Sequence, residues 1–227
     1  MSGKVLAVIV SDGDYSLALD CLARQTVRPN KTVFATKTFP NRFVGERVGL
    51  AIQDALSQIH LEDYQFLFRL DDDVVIPDNS IETLLNCHAD LAGIGGYTML
   101  IKTSVFRKLF PKYPVHPCED SLIATTFKES GFKVCNYPVS VHFVKPKKVS
   151  GKLLFQVGIF RYRIKYNPIS LLFSFRGKNG GNLVGAKVVF VWLGYLYAFV
   201  HRKKSYQFVS CTSSLRRLTK FVVDRLR

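Results

Sequence analysis

Apolar and polar positions fall into alternating blocks along the first part of this chain. Val5 to Val10 is an unbroken apolar run that ends in Ser11-Asp12-Gly13-Asp14. Such a run, closed by a loop, predicts a strand buried on both faces. Its short length and abrupt polar end fit a first strand and not a signal peptide. Tyr15 to Gln25 places Leu17, Leu19, Leu22 and Ala23 between polar residues and predicts a helix. Thr32 to Ala35 predicts a second strand. Arg47 to Ile59 predicts a second helix, with Val48, Ala51, Ile52, Ala55, Leu56 and Ile59 at helical spacing. Phe66 to Leu70 predicts a third strand, which runs into Asp71-Asp72-Asp73. Pro77-Asp78-Asn79 predicts a helix start with a cap near Glu82.

Farther along, Tyr97 to Ile101 reads as a strand and Ser104 to Leu109 as a short helix. Glu119 to Ser130 reads as a helix stopped by Gly131. Lys133 to Tyr137 and Val139 to Phe143 read as extended pieces around Pro138. Strand and helix alternate over the first 80 or so residues, which predicts an α/β, Rossmann-like fold. Its sheet is expected to be mainly parallel with helices on both faces.

Past Pro146 the texture changes, and basic residues interleave with Phe155, Phe160, Tyr162, Tyr166, Phe173 and Phe175. Gly177 to Gly181 reads as a loop. Val188 to Val200 is an uncharged apolar run followed by His201-Arg202-Lys203-Lys204. As a helix that run rises about 20 Å, short of a hydrocarbon core of about 30 Å. A core helix, an interfacial helix and a re-entrant segment all fit it. Ser213 to Arg227 has Leu215, Leu218, Val222, Val223 and Leu226 on one side of a helix and Arg216, Arg217, Lys220 and Arg227 on the other. This pattern suits a helix lying on a membrane, and equally one packed on its own domain. Two regions are therefore expected: an α/β domain over 1–145, and a basic, aromatic-rich, mostly helical extension over 146–227.

Charge sharpens that division. The chain of 227 residues carries 32 basic and 17 acidic residues. Residues 1–132 hold 13 basic and 16 acidic residues, whereas 133–227 hold 19 basic residues and one acid, Asp224. So one-sided a segment points to a polyanionic partner, either an anionic membrane or nucleic acid, with a solvated basic face as the plain alternative. The five cysteines, at 21, 87, 118, 135 and 211, form no C-x-x-C pair and are odd in number. They argue against a disulfide scaffold and a zinc ribbon, and for a reducing compartment.

Three adjacent carboxylates at a strand's end repel one another unless something positive sits there. The carboxyl end of a strand in an open α/β sheet is also where ligands bind. A hard divalent cation with a pyrophosphate would suit Asp71-Asp72-Asp73, and an acidic surface turn is the plain alternative. Asp71 and Asp73 can share one side and Asp72 the other. Glu119-Asp120 opens a helix, where the dipole favours a carboxylate. His142 ends a short strand.

In order and spacing these pieces resemble family 2 glycosyltransferases of the GT-A type, over about residues 4–145. The matching stretches are Phe66 to Asp73, the Gly-rich Gly93-Ile94-Gly95-Gly96 leading into Tyr97 to Ile101, Ser104-Val105-Phe106, Glu119-Asp120-Ser121-Leu122, Gly131 to Val134, and Val141-His142. The resemblance implies an inverting hexosyltransferase acting on a nucleotide sugar, either a UDP- or a GDP-sugar. It implies a DXD-type metal site for Mn²⁺ or Mg²⁺ from Asp73 and His142, with Asp71 directly or through water. Asp12, Asp71, Asp72 and Gly96 would contact the nucleotide sugar, Asp120 would be the catalytic base, and Glu119 would lie on the acceptor side and orient the site. The chain departs from the family after the second strand. Thr36-Lys37-Thr38 stands there in place of a base-binding acid, a place that Asp12 or Asp14 could fill, and Ser11 replaces a proline.

The implied acceptor is a glycan, a lipid or a lipid-linked glycan, met on the cytoplasmic face of a membrane to which the chain is peripheral. The rival readings are a nucleic-acid-binding protein using the basic segment and a nucleotidyltransferase using the acids. The first leaves both acidic clusters without a role, so nucleic acid is the disfavoured partner.

Overall fold

The computed structural model describes residues 3–40, 42–93, 97–136, 139–144, 150–164 and 185–201. Eight strands and seven α-helices lie among them. They follow the order β1 (Val5–Val10), α1 (Ser16–Ala23), β2 (Lys31–Ala35), α2 (Val44–Leu56), β3 (Phe66–Asp71), β4 (Val74–Val75), α3 (Ser80–Asn86), β5 (Leu91–Ala92), β6 (Thr98–Lys102), α4 (Thr103–Leu109), α5 (Glu119–Glu129), β7 (Val134–Cys135), β8 (His142–Phe143), α6 (Gly151–Arg163) and α7 (Gly185–Val200).

Six strands form one sheet in the order β2-β1-β3-β6-β5-β7. β1 is parallel to β2 and to β3, and β5 is parallel to β7. The strand expected at Tyr97–Ile101 is β6, and it runs antiparallel between β3 and β5. Short β5 was not expected, because Leu91-Ala92 is too brief to show a period. β4 and β8 pair antiparallel as a separate two-stranded ribbon.

The apolar runs of β1 and β3 are buried on both faces, as their patterns require. Val5, Ala7, Ile9, Phe68 and Leu70 join one core with α1 and α3. Leu6, Val8 and Leu67 join a second with α2, α4 and α5. On α2, Gly45 and Gly49 share the face that meets the loop before α5. A Cβ at Gly45 would stand 2.5 Å from Glu119 Oε2 and closer still to the Pro117 carbonyl, and one at Gly49 would meet the Pro114 carbonyl. Glycine is needed at both because backbone meets backbone there.

The cap expected near Glu82 is different. No side chain of the segment caps α3. The buried amide of Gln25 does so from outside: its Oε1 accepts from Ile81 N at 3.0 Å, and its Nε2 donates to the Cys21 and Pro77 carbonyls at 3.2 and 2.8 Å. Glu82 instead accepts from Thr26 Oγ1 at 2.8 Å.

In the C-terminal part, α6 and α7 pack on each other. Their crossing is close because Gly158 meets the Val191 carbonyl and Gly194 the Phe155 carbonyl. The expected apolar run 188–200 is thus helical, and no helix among the described residues is long and apolar enough to cross a membrane. From α6, Phe160 packs edge-on against Phe43 at 5.5 Å and His116 at 5.7 Å. The loop expected at Gly177–Gly181 and the amphipathic pattern at Ser213–Arg227 lie outside the described residues.

Candidate active site at the carboxyl edge of the sheet

The acid triplet begins at the last residue of β3 and continues past it. Its backbone is gripped from both sides: Asp71 N donates to the Tyr97 carbonyl and Asp72 N to the Val10 carbonyl, each at 3.1 Å. The Asp73 carbonyl accepts from Val144 N at 3.0 Å. The chain then runs directly into β4, where Val75 faces His142 across the ladder. One short ribbon therefore holds the end of the triplet and His142 together, and His142 is exposed.

Alternation along β3 separates the three acids. Arg69 and Asp71 share the face toward α5, and both guanidinium Nε and Nη2 donate to Asp71 Oδ1, at 3.3 and 3.2 Å. Asp72 points away from Arg69 and accepts from the Ser11 hydroxyl at 2.5 Å. That hydroxyl also accepts from Gly13 N at 3.0 Å, tying the loop after β1 to the triplet. Asp12 sits in this loop and is exposed.

The other end of Arg69 reaches α5. Its Nη1 donates to Glu119 Oε1 at 2.6 Å and meets the Tyr113 hydroxyl at 3.2 Å. The side chains of Arg69, Glu119 and Asp71 are 3%, 6% and 14% exposed. Burial disfavours the charged form of Arg69, but the neighbouring Asp71, Tyr113, Glu119 and Asp120 outweigh it and raise its pKa well above the ordinary value. Burial pushes the Glu119 carboxyl up to about 7, against the opposing pull of Arg69. Burial also raises the Tyr113 phenol, which stays a neutral donor or acceptor. Glu119, expected on the acceptor side and orienting the site, is turned inward to Arg69.

Asp120 follows at the half-buried second position of α5. Its Oδ1 accepts from Ser121 N at 2.6 Å. It lies close enough to act on the charge states of Arg69, Tyr113, His116 and Cys118. Behind it His116 is buried, and its Nδ1 accepts from Cys118 N at 3.0 Å. Burial lowers the His116 pKa. Burial pushes the Cys118 thiol up to about 12.

Among the described residues no three His, Cys, Asp or Glu side chains converge as metal ligands. Asp71, Asp73 and His142 are thus not a closed cage, in part because Asp71 is engaged by Arg69. A cation carried with a diphosphate needs only one or two carboxylates, the remaining ligands being phosphate oxygens and water. Asp73, which starts the ribbon carrying His142, fits that donor chemistry. Gly96 lies outside the described residues.

The sequence pattern assigns no role to Arg69 or Tyr113, and marks Ser11 only as the residue in place of a proline. Arg69 did leave a signal: a charged residue inside the run Phe66-Leu67-Phe68-Arg69-Leu70 is almost never buried unless paired. A cavity of about 630 Å³ is lined by Lys37, Phe39, Gln53, Phe110 and Tyr113 among others. It touches the network at Tyr113 but includes none of the triplet.

No family model matches the chain, and no curated protein matches it. Among solved structures it is similar to A197 from STIV, with 17% identity over 63% of this chain and 86% of that one, at a TM-score of 0.46. It is also similar to S. aureus TarS, with 14% identity over 89% of this chain, at a TM-score of 0.42. The chain spans 44% of the TarS chain.

Proposed function

We propose that the chain is an inverting glycosyltransferase that moves a sugar from a nucleoside-diphosphate sugar to a hydroxyl acceptor with the help of Mn²⁺ or Mg²⁺. The observation that carries this reading is the Asp71–Arg69–Glu119 bridge. Through it the acid triplet at the carboxyl edge of β3 is tied to the start of α5, where Asp120 stands. Carboxylates suited to a cation-bound diphosphate and a carboxylate suited to proton transfer are thereby held at one sheet edge.

In this reading Asp73 would hold the cation, with Asp71 assisting and His142 adjacent on the ribbon. The cation would supply positive charge where the diphosphate leaves. Asp12 and Asp72, joined through Ser11, contact the nucleotide end of the donor, on the β1 side of the triplet. Asp120 accepts the proton of the acceptor hydroxyl as its oxygen bonds to the anomeric carbon. The bond from that carbon to the diphosphate oxygen breaks on the opposite face, which inverts the configuration. Glu119 and Arg69 touch neither partner and position Asp71 relative to Asp120. The acceptor is a glycan, a lipid or a lipid-linked glycan, and the strongly basic segment 133–227 suits the anionic cytoplasmic leaflet.

The test is a donor screen. Purified protein is incubated with UDP- and GDP-sugars with Mn²⁺, Mg²⁺ or chelator, and release of nucleoside diphosphate is measured. Cation-dependent release from one donor class is expected. Release of pyrophosphate, or no release from any donor with simple sugar, glycan and lipid-phosphate acceptors present, would overturn the assignment.

A further inference from the structure

The helix α7 has two apolar sides, and only one is used. Val191, Gly194 and Ala198 face α6 and are buried. On the opposite side Val189, Leu193, Leu196 and Val200 are 46% to 70% exposed, while Phe190 and Tyr197 lean along the flank onto Gly151 and Phe155 of α6. At 100° per residue these four lie within about a sixth of the helix circumference. No charged residue interrupts the run from Val188 to Val200. A helix that is apolar all round belongs in a protein core or in lipid, and scattered surface apolar residues do not make so continuous a strip.

We propose that this outer face of α7 is a membrane-insertion surface, and that it lies in the headgroup boundary of an anionic bilayer without crossing it. Length, charge and chemistry each point to that occupant. The helix has 16 residues, about 24 Å, which is too short to span. The sequence places His201-Arg202-Lys203-Lys204 directly after it, within a segment of 19 basic residues and one acid. Anionic headgroups complement that charge, whereas a second copy of the chain would bring an equally basic segment against it. Nucleic acid would be met by basic side chains among stacking rings, whereas the outward strip of α7 is the uncharged aliphatic set Val189, Leu193, Leu196 and Val200. The hairpin is also a fitting carrier for such a surface. Reciprocal glycine contacts at Gly158 and Gly194 lock α7 to α6, and Phe160 of α6 rests against Phe43 and His116 beside the start of α5. An inserted α7 would hold the carboxyl edge of the sheet close to the bilayer. The inference concerns a surface apart from the acid edge, and its readout needs no turnover, so it stands or falls separately from glycosyl transfer.

The chain has a single tryptophan, Trp192, on the flank of this helix. Full-length protein is mixed with vesicles of phosphatidylcholine and phosphatidylglycerol at seven to three, and separately with phosphatidylcholine alone. Sedimentation, Trp192 emission and its quenching by brominated acyl chains are followed. Binding to the anionic vesicles with a blue shift and bromine quenching is expected, and weaker binding to the neutral ones. The variant Leu193→Ser/Leu196→Ser/Val189→Ser changes only outward positions and keeps the whole basic segment. It should keep its thermal transition and lose vesicle affinity by at least about tenfold, the equivalent of about 1.4 kcal/mol. Four outcomes would overturn the proposal: no binding to anionic vesicles, binding without bromine quenching of Trp192, full affinity in the triple variant, or a solution dimer that the triple variant dissociates.

Discussion

Replacing Arg69 by methionine tests the bridge on which the functional reading rests. The substitution keeps the aliphatic volume in the second core and removes the cation that touches Asp71, Glu119 and Tyr113. Breaking a buried pair from one side costs about 3–5 kcal/mol, because the partner charge is left uncompensated. Here the cost depends on pH in a way the structure sets. Glu119 titrates at about 7 with Arg69 present. A carboxyl whose folded pKa lies above its unfolded value contributes stability at low pH that is lost as pH rises through the folded value. Without Arg69 that folded value rises further, so the variant goes on losing stability above pH 7, where the parent no longer does. The slope there should approach about 1.4 kcal/mol per pH unit. At pH 6 Glu119 is mostly protonated in both proteins, and a smaller loss of about 1–3 kcal/mol remains from the stranded partners at Asp71 and Tyr113. Urea melts of both proteins at pH 6, 7, 8 and 9 read this directly. Adding Glu119→Gln to Arg69→Met should flatten the slope above pH 7. A loss below about 1 kcal/mol at every pH, or a slope that Glu119→Gln leaves unchanged, would refute the argument.

Asp73→Ala should abolish cation-dependent donor turnover while the melting temperature holds or rises, since one of three clustered carboxylates is gone; unchanged turnover would remove Asp73 from the site. Asp120→Asn should lower transfer to a hydroxyl acceptor by about 10²- to 10⁴-fold and leave nucleotide affinity, read by calorimetry, nearly unchanged. Gly45→Ala puts a methyl group into the Pro117 carbonyl and Glu119; it should cost about 1–3 kcal/mol in a denaturant melt and lower turnover by displacing the start of α5. Gly13→Ala, where nothing lies within 4 Å of the added carbon, is the control and should change stability by less than about 1 kcal/mol.

Much of the sheet was legible because its central strands are buried on both faces and therefore read as continuous apolar runs. Val5–Val10 and Phe66–Leu70 are of that kind, and both fall in the middle of the sheet. The antiparallel direction of β6 was not legible, since a strand's period is the same in either direction. Leu91-Ala92 and Val74-Val75 were missed because two residues show no period at all. The Gln25 cap on α3 was hidden for another reason: the amide that satisfies Ile81 N comes from 56 residues away, and local capping rules look only within a turn. At the site, carboxylates stood out in the sequence by their density, which is a local property. What joins them did not, because Arg69, Glu119 and Tyr113 meet only when β3, α5 and the loop before α5 are packed.

That joining residue also explains why the site sits where it does. A guanidinium inside a sheet is costly unless every donor direction is met. Arg69 meets its need by borrowing one acid from its own strand and one from the first turn of α5, where the helix dipole already favours a carboxylate. The same contacts fix the distance between the end of β3 and the start of α5, two elements that the sequence separates by 48 residues. Glu119 and one oxygen of Asp71 are thus engaged by Arg69, while Asp72 is held by Ser11, Asp73 stands at the start of the ribbon that carries His142, and Asp120 stands at the half-buried helix start. Burial sets Glu119 apart, at 4% exposure, as the acid that holds the frame, whereas the three acids of the triplet and Asp120 are all half-buried at the sheet edge.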